Sequence, residues 1–261
     1  MPNILQSQGS ALVLGVNAFA PLVEKMHEEF KAGGFSDWPT VILSQTMQAT
    51  LVSMFKLLPP ADSRELLIDT RSLATLTRNV VDTYDVIDMM VSPVSEQEHH
   101  LNRQILGYYI SSRIAQVQKS IDAPEAQKFF PFAKKQYWSS IQNSSLIDPR
   151  KKDKLRSGES VFYKSRAERA RAAFGDQSDF VMGVLTDLST YVHSIPPALW
   201  MHHSSEAYAD TEETRDKIGL WLRIVNFVYA QSIRIILRVT KYDLSNDLKI
   251  FLDHHKRLFS D

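Results

Sequence analysis

Arg71, Arg78, Asp82 and Asp85 follow one another at intervals of seven, four and three residues. At about 100° per residue, such intervals place all four on one side of a helix. Two guanidinium groups flanked by carboxylates can hold an anionic ligand through bidentate hydrogen bonds, with the acids orienting the arginines. The same pattern also serves as a solvated face. It can also form a local Arg78–Asp82 pair, in the less favourable order with the acid C-terminal to the base. His193 closes the tract Leu188-Ser-Thr-Tyr-Val-His193, just before Ser194-Ile-Pro-Pro. An imidazolium at a helix C-terminus is favoured by the helix dipole, and near neutral pH it can carry a proton. Arg71 and His193 are the catalytic candidates, and Arg71, Arg78, Asp82 and Asp85 the ligand-binding ones.

A second chemistry is suggested by charge. Between Lys134 and Arg171 lie eleven lysines and arginines against four acids, although the whole chain balances 30 against 30. Such asymmetry suits phosphate backbones. The densest part, Arg150, Lys151, Lys152, Lys154 and Arg156, is the nucleic-acid candidate. A solvated loop is the plainer alternative.

Other chemistries are narrowed by what is missing. The chain has no cysteine, which removes disulfides, thiol nucleophiles and thiolate metal sites and fits a reducing compartment. His99-His100, His202-His203 and His254-His255 are adjacent pairs. Helical neighbours point about 100° apart, so no pair chelates from one face. No HExxH motif, EF-hand loop, P-loop, dinucleotide fingerprint or serine-hydrolase elbow is present. Neither a metal nor a cofactor is implied.

The Arg71-Ser-Leu tract and the later Ser-x-x-x-His193 tract, with an aromatic-rich stretch between them, resemble a family of all-helical bacterial proteins. That family is loosely associated with nucleotide- or RNA-processing defence systems. The resemblance spans Leu66 to Pro197 and implies that Arg71 and His193 share a pocket. The family pattern continues Arg-Ser-Leu with an acidic residue, whereas Ala74 and Thr75 follow here. HEPN ribonucleases, a related comparison, place a histidine four to six intervening residues after an arginine, a spacing this chain lacks.

The elements that must position these residues read as helices. Leu66–Met90 is a long helix, apolar over most of its circumference, and the rest of the chain is expected to pack around it. Asp62, with Glu65 three residues on, is its expected cap. Before it come Ala11–Lys31 and Thr40–Leu58. After it come a helix from the capping box Ser95-Glu-Gln-Glu98 to Ser120, an aromatic-rich helix over Asp122–Ile141, and a short helix opened by Ser165-Arg-Ala-Glu168. Asp179–Val192, the strongly apolar Asp210–Thr240, and Ser245–Phe259 complete the chain. Asn143–Ser160 is polar, with Pro149 and Gly158, and reads as a mobile basic loop. The fold class expected is all-α: one domain over 1–261, a bundle of eight to nine helices around a central helix near 63–91.

Two functions follow as expectations. The first is a non-catalytic interaction or regulatory module that binds an anionic ligand or a protein partner. The second is a HEPN-like ribonuclease effector of a bacterial defence system using Arg71 and His193. The apolar excess of Asp210–Thr240 also suggests a homodimer. No membrane span of ~20 consecutive apolar residues is present, and the N-terminus lacks the basic start of a signal peptide, so a cytoplasmic location is expected. RNA or another phosphate-bearing ligand is the expected non-protein partner.

Overall fold

The computed structural model describes residues 4–34, 37–60, 67–120, 131–158, 160–193 and 209–258. The protein is all-α: 82% helical with no strand, and nine helices of eight or more residues among the described residues. In chain order these are α1 (Ile4–Lys31), α2 (Trp38–Lys56), α3 (Thr70–Val91), α4 (Glu96–Ser120), α5 (Pro149–Arg156), α6 (Arg166–Phe174), α7 (Ser178–His193), α8 (Glu212–Thr240) and α9 (Asn246–His254). Between α4 and α5, a π-helical turn, Lys134–Trp138, continues into the short helix Ser139–Asn143.

The chain divides into two compact units, where the sequence reading expects one domain. One unit is discontinuous, Met1–Ile87 with Ala170–Asp261; the other is Asp88–Arg169. The divisions fall inside α3 and inside α6.

In the discontinuous unit, α1 packs against α2, α8 and α9, and α8 also meets α9. The deepest element is α8 rather than the helix near 63–91. Ile218, Trp221, Leu222, Ile224, Val225, Val228, Ile233 and Ile236 are all buried along it. By length and composition α8 is apolar enough to cross a membrane, but 72% of its most apolar window is buried inside the protein. The apolar excess that motivates self-association is thus largely consumed within the chain. Close approach explains two of the glycines. A Cβ on Gly219 would sit 2.8 Å from the Leu5 backbone nitrogen, and one on Gly15 would sit 2.6 Å from the Phe251 ring. These notches bring α8 and α9 against α1, and overpacking at such sites is destabilising.

α3 buries one side through Leu73, Ala74, Val80, Val81, Tyr84 and Ile87. Its observed cap is Asp69, whose Oδ1 accepts the Ser72 N–H at 2.9 Å. The cap expected at Asp62 lies outside the described residues. Leu67, expected on the helix, precedes it and is exposed.

In the continuous unit, α4 packs against the π-helical turn and against Ser139–Asn143. Its capping box forms with one shift. Ser95 Oγ accepts the Glu98 N–H at 3.1 Å, but Glu98 Oε2 reaches back to the Val94 N–H, at 2.8 Å, and not to Ser95. The box at Ser165 and Glu168 closes in both directions.

The segment read as a basic loop contains α5. Asp148 caps it by accepting the Arg150 N–H at 2.8 Å, Pro149 occupies the first turn, and Leu155 is its one buried residue. Proline there suits a helix start because its missing N–H would be unpaired anyway. At the far end, Tyr108 donates to the Arg156 carbonyl at 2.8 Å. Gly158, at φ +70°, then turns the chain in the left-handed region that favours glycine.

Candidate functional site

Asp69 starts α3 so that Arg71 and Arg78, seven residues apart, lie two turns apart on one side. The structure treats them differently. Arg71 is exposed. Arg78 is half-buried, with Nε 3.7 Å from Asp82 Oδ2 and Nη1 donating to Ser189 Oγ at 3.2 Å. Asp85, a turn below Asp82, is buried, and both acids have further partners.

Ser189 belongs to α7 and to the tract that ends at His193. Arg78 and the later tract are therefore joined in space across 111 residues of sequence. The backbone of His193 ends α7; its side chain lies outside the described residues, so its approach to Arg71 does too. Ser189 donates its own hydroxyl proton to the Leu185 carbonyl at 2.8 Å while accepting from Arg78. A hydroxyl committed to a carbonyl has no base to activate it. Arg78 is balanced by Asp82, so this seam links α3 to α7 without offering an uncompensated positive field.

The other side of α7 carries a second polar clamp. Lys217 of α8 donates to Tyr191 Oη at 2.8 Å and lies 3.1 Å from Asp187 Oδ2. Its ammonium also sits 5.0 Å from the Tyr191 ring centre, within cation–π range. Burial alone would lower the Lys217 pKa, but the Tyr191 and Asp187 contacts raise it above the usual lysine value. Three charged or polar residues invisible as a motif thereby fasten α7 to α8.

The basic candidates lie on α5. Lys151 pairs with Glu168 at 2.9 Å, and Lys152 donates to the Gln142 carbonyl at 2.7 Å. Arg150, Lys154 and Arg156 are exposed, as are Lys134 and Lys135 of the π-helical turn. In the same stretch Phe132 is exposed and packs edge-on against Tyr137 at 6.5 Å.

Two further clusters have no counterpart among the sequence-derived candidates. In the continuous unit, Glu98 accepts from Tyr163 Oη at 2.5 Å and from Lys164 Nζ at 2.8 Å. Burial would raise the Glu98 carboxyl, but Lys164, Tyr163 and the Val94 N–H hold it at about 2. In the discontinuous unit, the buried Arg215 grips Asp210 with both prongs, at 2.5 and 2.6 Å, and donates to the Pro60 carbonyl at 2.9 Å. Glu98 is visible in sequence only as a cap. Asp210 and Arg215 stand five apart, a spacing that suggests no helical pair. Among the described residues no group of three or more histidines and acids could hold a metal ion.

Comparison of the chain with protein-family models, curated proteins and solved structures finds no match.

Proposed function

We propose that the protein is a non-catalytic binding module that engages a phosphate-bearing polymer, single-stranded RNA first among them, through α5. One observation carries this reading. Of the five cations on α5, two are tied to Glu168 and the Gln142 carbonyl, while Arg150, Lys154 and Arg156 stand exposed. They belong to a segment, 88–169, with fourteen lysines and arginines against nine aspartates and glutamates. Cations on a capped helix that is already held by neighbours lose less entropy on meeting a phosphate than cations on a free loop. Exposed Phe132 supplies a flat apolar surface in the same segment, of the kind on which unpaired bases stack.

The test is fluorescence anisotropy with a labelled single-stranded RNA at several salt concentrations. Three phosphate contacts on a single strand give a log–log salt slope of roughly −2. Arg150→Glu with Lys154→Glu should weaken binding at least about tenfold and flatten that slope. Salt-independent binding, or unchanged affinity in the double variant, would overturn the proposal. The RNA should emerge intact. Cleavage that disappears in His193→Ala would replace this reading with the ribonuclease one.

A further inference from the structure

α2 is buried along one side, through Val41, Ser44, Met47, Leu51 and Met54, and it packs against α1. Its opposite side carries a second apolar row. Trp38 and Ile42 are each 46% exposed and Val52 is 40% exposed; Ala49 and Lys56 are exposed too. With the half-buried Gln45, these residues follow one another at steps of four, three, four, three and four. That 3.5-residue repeat is the narrow seam of a two-helix coiled coil, not the wider stripe of a helix facing a core. The hydroxyls beside the row make no demand on a neighbour. Thr46 donates to the Ile42 carbonyl at 2.8 Å, Thr50 to the Thr46 carbonyl at 2.8 Å, and Ser53 to the Ala49 carbonyl at 2.9 Å. Covering the row therefore strands none of these donors.

Charge points to the occupant. A patch that meets its own copy sets like charges face to face wherever it is charged. From Trp38 to Phe55 the sequence has no charged residue. The first charges on either side, Asp37 and Lys56, are opposite in sign and stand at opposite ends of the helix. In a parallel pair, like would meet like. In an antiparallel pair, the Asp37 end of each copy meets the Lys56 end of the other. The six seam positions are also symmetric about Met47. Antiparallel pairing thus sets Ile42 against Val52, and Gln45 against Ala49, of the second copy. It sets Trp38 against Lys56, an arrangement open to a cation–π contact.

We infer that the protein forms a homodimer through the exposed row of α2, with the two helices antiparallel about a two-fold axis near Met47. The contact is isologous, the commonest form of homodimer. The row runs about 27 Å at 1.5 Å per residue and is one helix wide, which is short of the ~800 Å² per partner of a standard interface. The dimer accordingly exchanges with monomer in the micromolar range. No residue of α5 or α8 takes part, so the contact is independent of RNA binding and of the apolar excess of α8.

The experiment is sedimentation of the full chain from about 1 to about 300 µM. The mass should rise with concentration from the 29.8 kDa of one chain toward twice that value. Ile42→Glu with Val52→Glu, both at exposed positions, should raise the dissociation constant at least about tenfold and leave the melting temperature of the dilute protein unchanged. The chain has no cysteine, so engineered thiols report the register cleanly. Within one copy, residues 42 and 52 lie about 15 Å apart along the helix, too far for a disulfide. The double variant Ile42→Cys, Val52→Cys should therefore oxidise to a covalent dimer. Each single cysteine variant should stay monomeric on a non-reducing gel, because its two thiols lie about 15 Å apart across the two-fold axis. A monomer at every concentration, the outcome if another protein covers this face, would overturn the inference. So would a dimer indifferent to the two glutamates, or single cysteine variants that cross-link as readily as the double one. If the glutamates disturb folding, the cysteine variants still decide it.

Discussion

Residues 88–169 carry fourteen lysines and arginines against nine acids, whereas the remainder carries sixteen against twenty-one. The two units also handle their polar groups differently. The discontinuous unit buries its main ion pair completely, with Arg215 and Asp210 side chains 3% and 0% exposed. The continuous unit keeps its Glu98–Lys164 pair half in water, with Lys164 52% exposed. One places polar groups where an error leaves a charge stranded. The other keeps its pair at a helix start near the surface, and exposes Arg150, Lys154 and Arg156. A net charge of zero for the whole chain conceals this division.

The sharpest way to break the comparison is Arg215→Ala. It removes both hydrogen bonds that Arg215 makes to the buried Asp210 carboxylate, and it should cost about 3–5 kcal/mol. Hydrogen exchange should quicken in α1 and α8 more than in α4. Equal loss of protection in all three would mean that the chain opens as one cooperative body.

Glu98→Gln comes next, at about 1–3 kcal/mol near neutral pH, because a charged acceptor of three hydrogen bonds is lost. Its pH dependence has a definite sign. The Glu98 carboxyl lies at about 2, below the ordinary 4.5. Its contribution is therefore complete above pH 4.5 and fades as pH falls toward 2. Urea titrations across that window should show a shallower acid slope for the variant. An unchanged slope would remove Glu98 from the account of the continuous unit.

The smallest contrast lies within α3. Arg78→Ala should cost about 1 kcal/mol, through its Ser189 and Asp82 contacts. Arg71→Ala, at an exposed position, should stay within about 0.5 kcal/mol of wild type. Melting curves giving equal losses would show that Arg71 is held by something beyond the α3–α7 seam.

Much of the helical framework is legible in sequence because its signals are local. The Ser95/Glu98 and Ser165/Glu168 spacings state their caps within four residues. The aliphatic run of α8 states its own burial. α5 is harder to see, since eight residues with one buried leucine have almost no periodicity, and only Asp148-Pro149 marks its start. The candidate site is half legible. Arg78 and the Ser189 tract are both noticeable, but their contact crosses 111 residues that no spacing rule spans.

The interruption of one unit by the other has a consequence during synthesis. α1 meets α8 through contacts such as Asn226 Nδ2 donating to the Gln8 carbonyl at 2.9 Å, 218 residues apart. Every partner within 88–169 has been synthesised by Arg169, but α1 must wait for α8. At ordinary elongation rates that wait is roughly ten to forty seconds. Of α2, α8 and α9, the helices that α1 packs against, α2 is made first and the other two come late, while Leu12, Phe19 and Met26 are buried in the finished fold. The buried face of α1 accordingly spends that interval without two of the three helices that cover it.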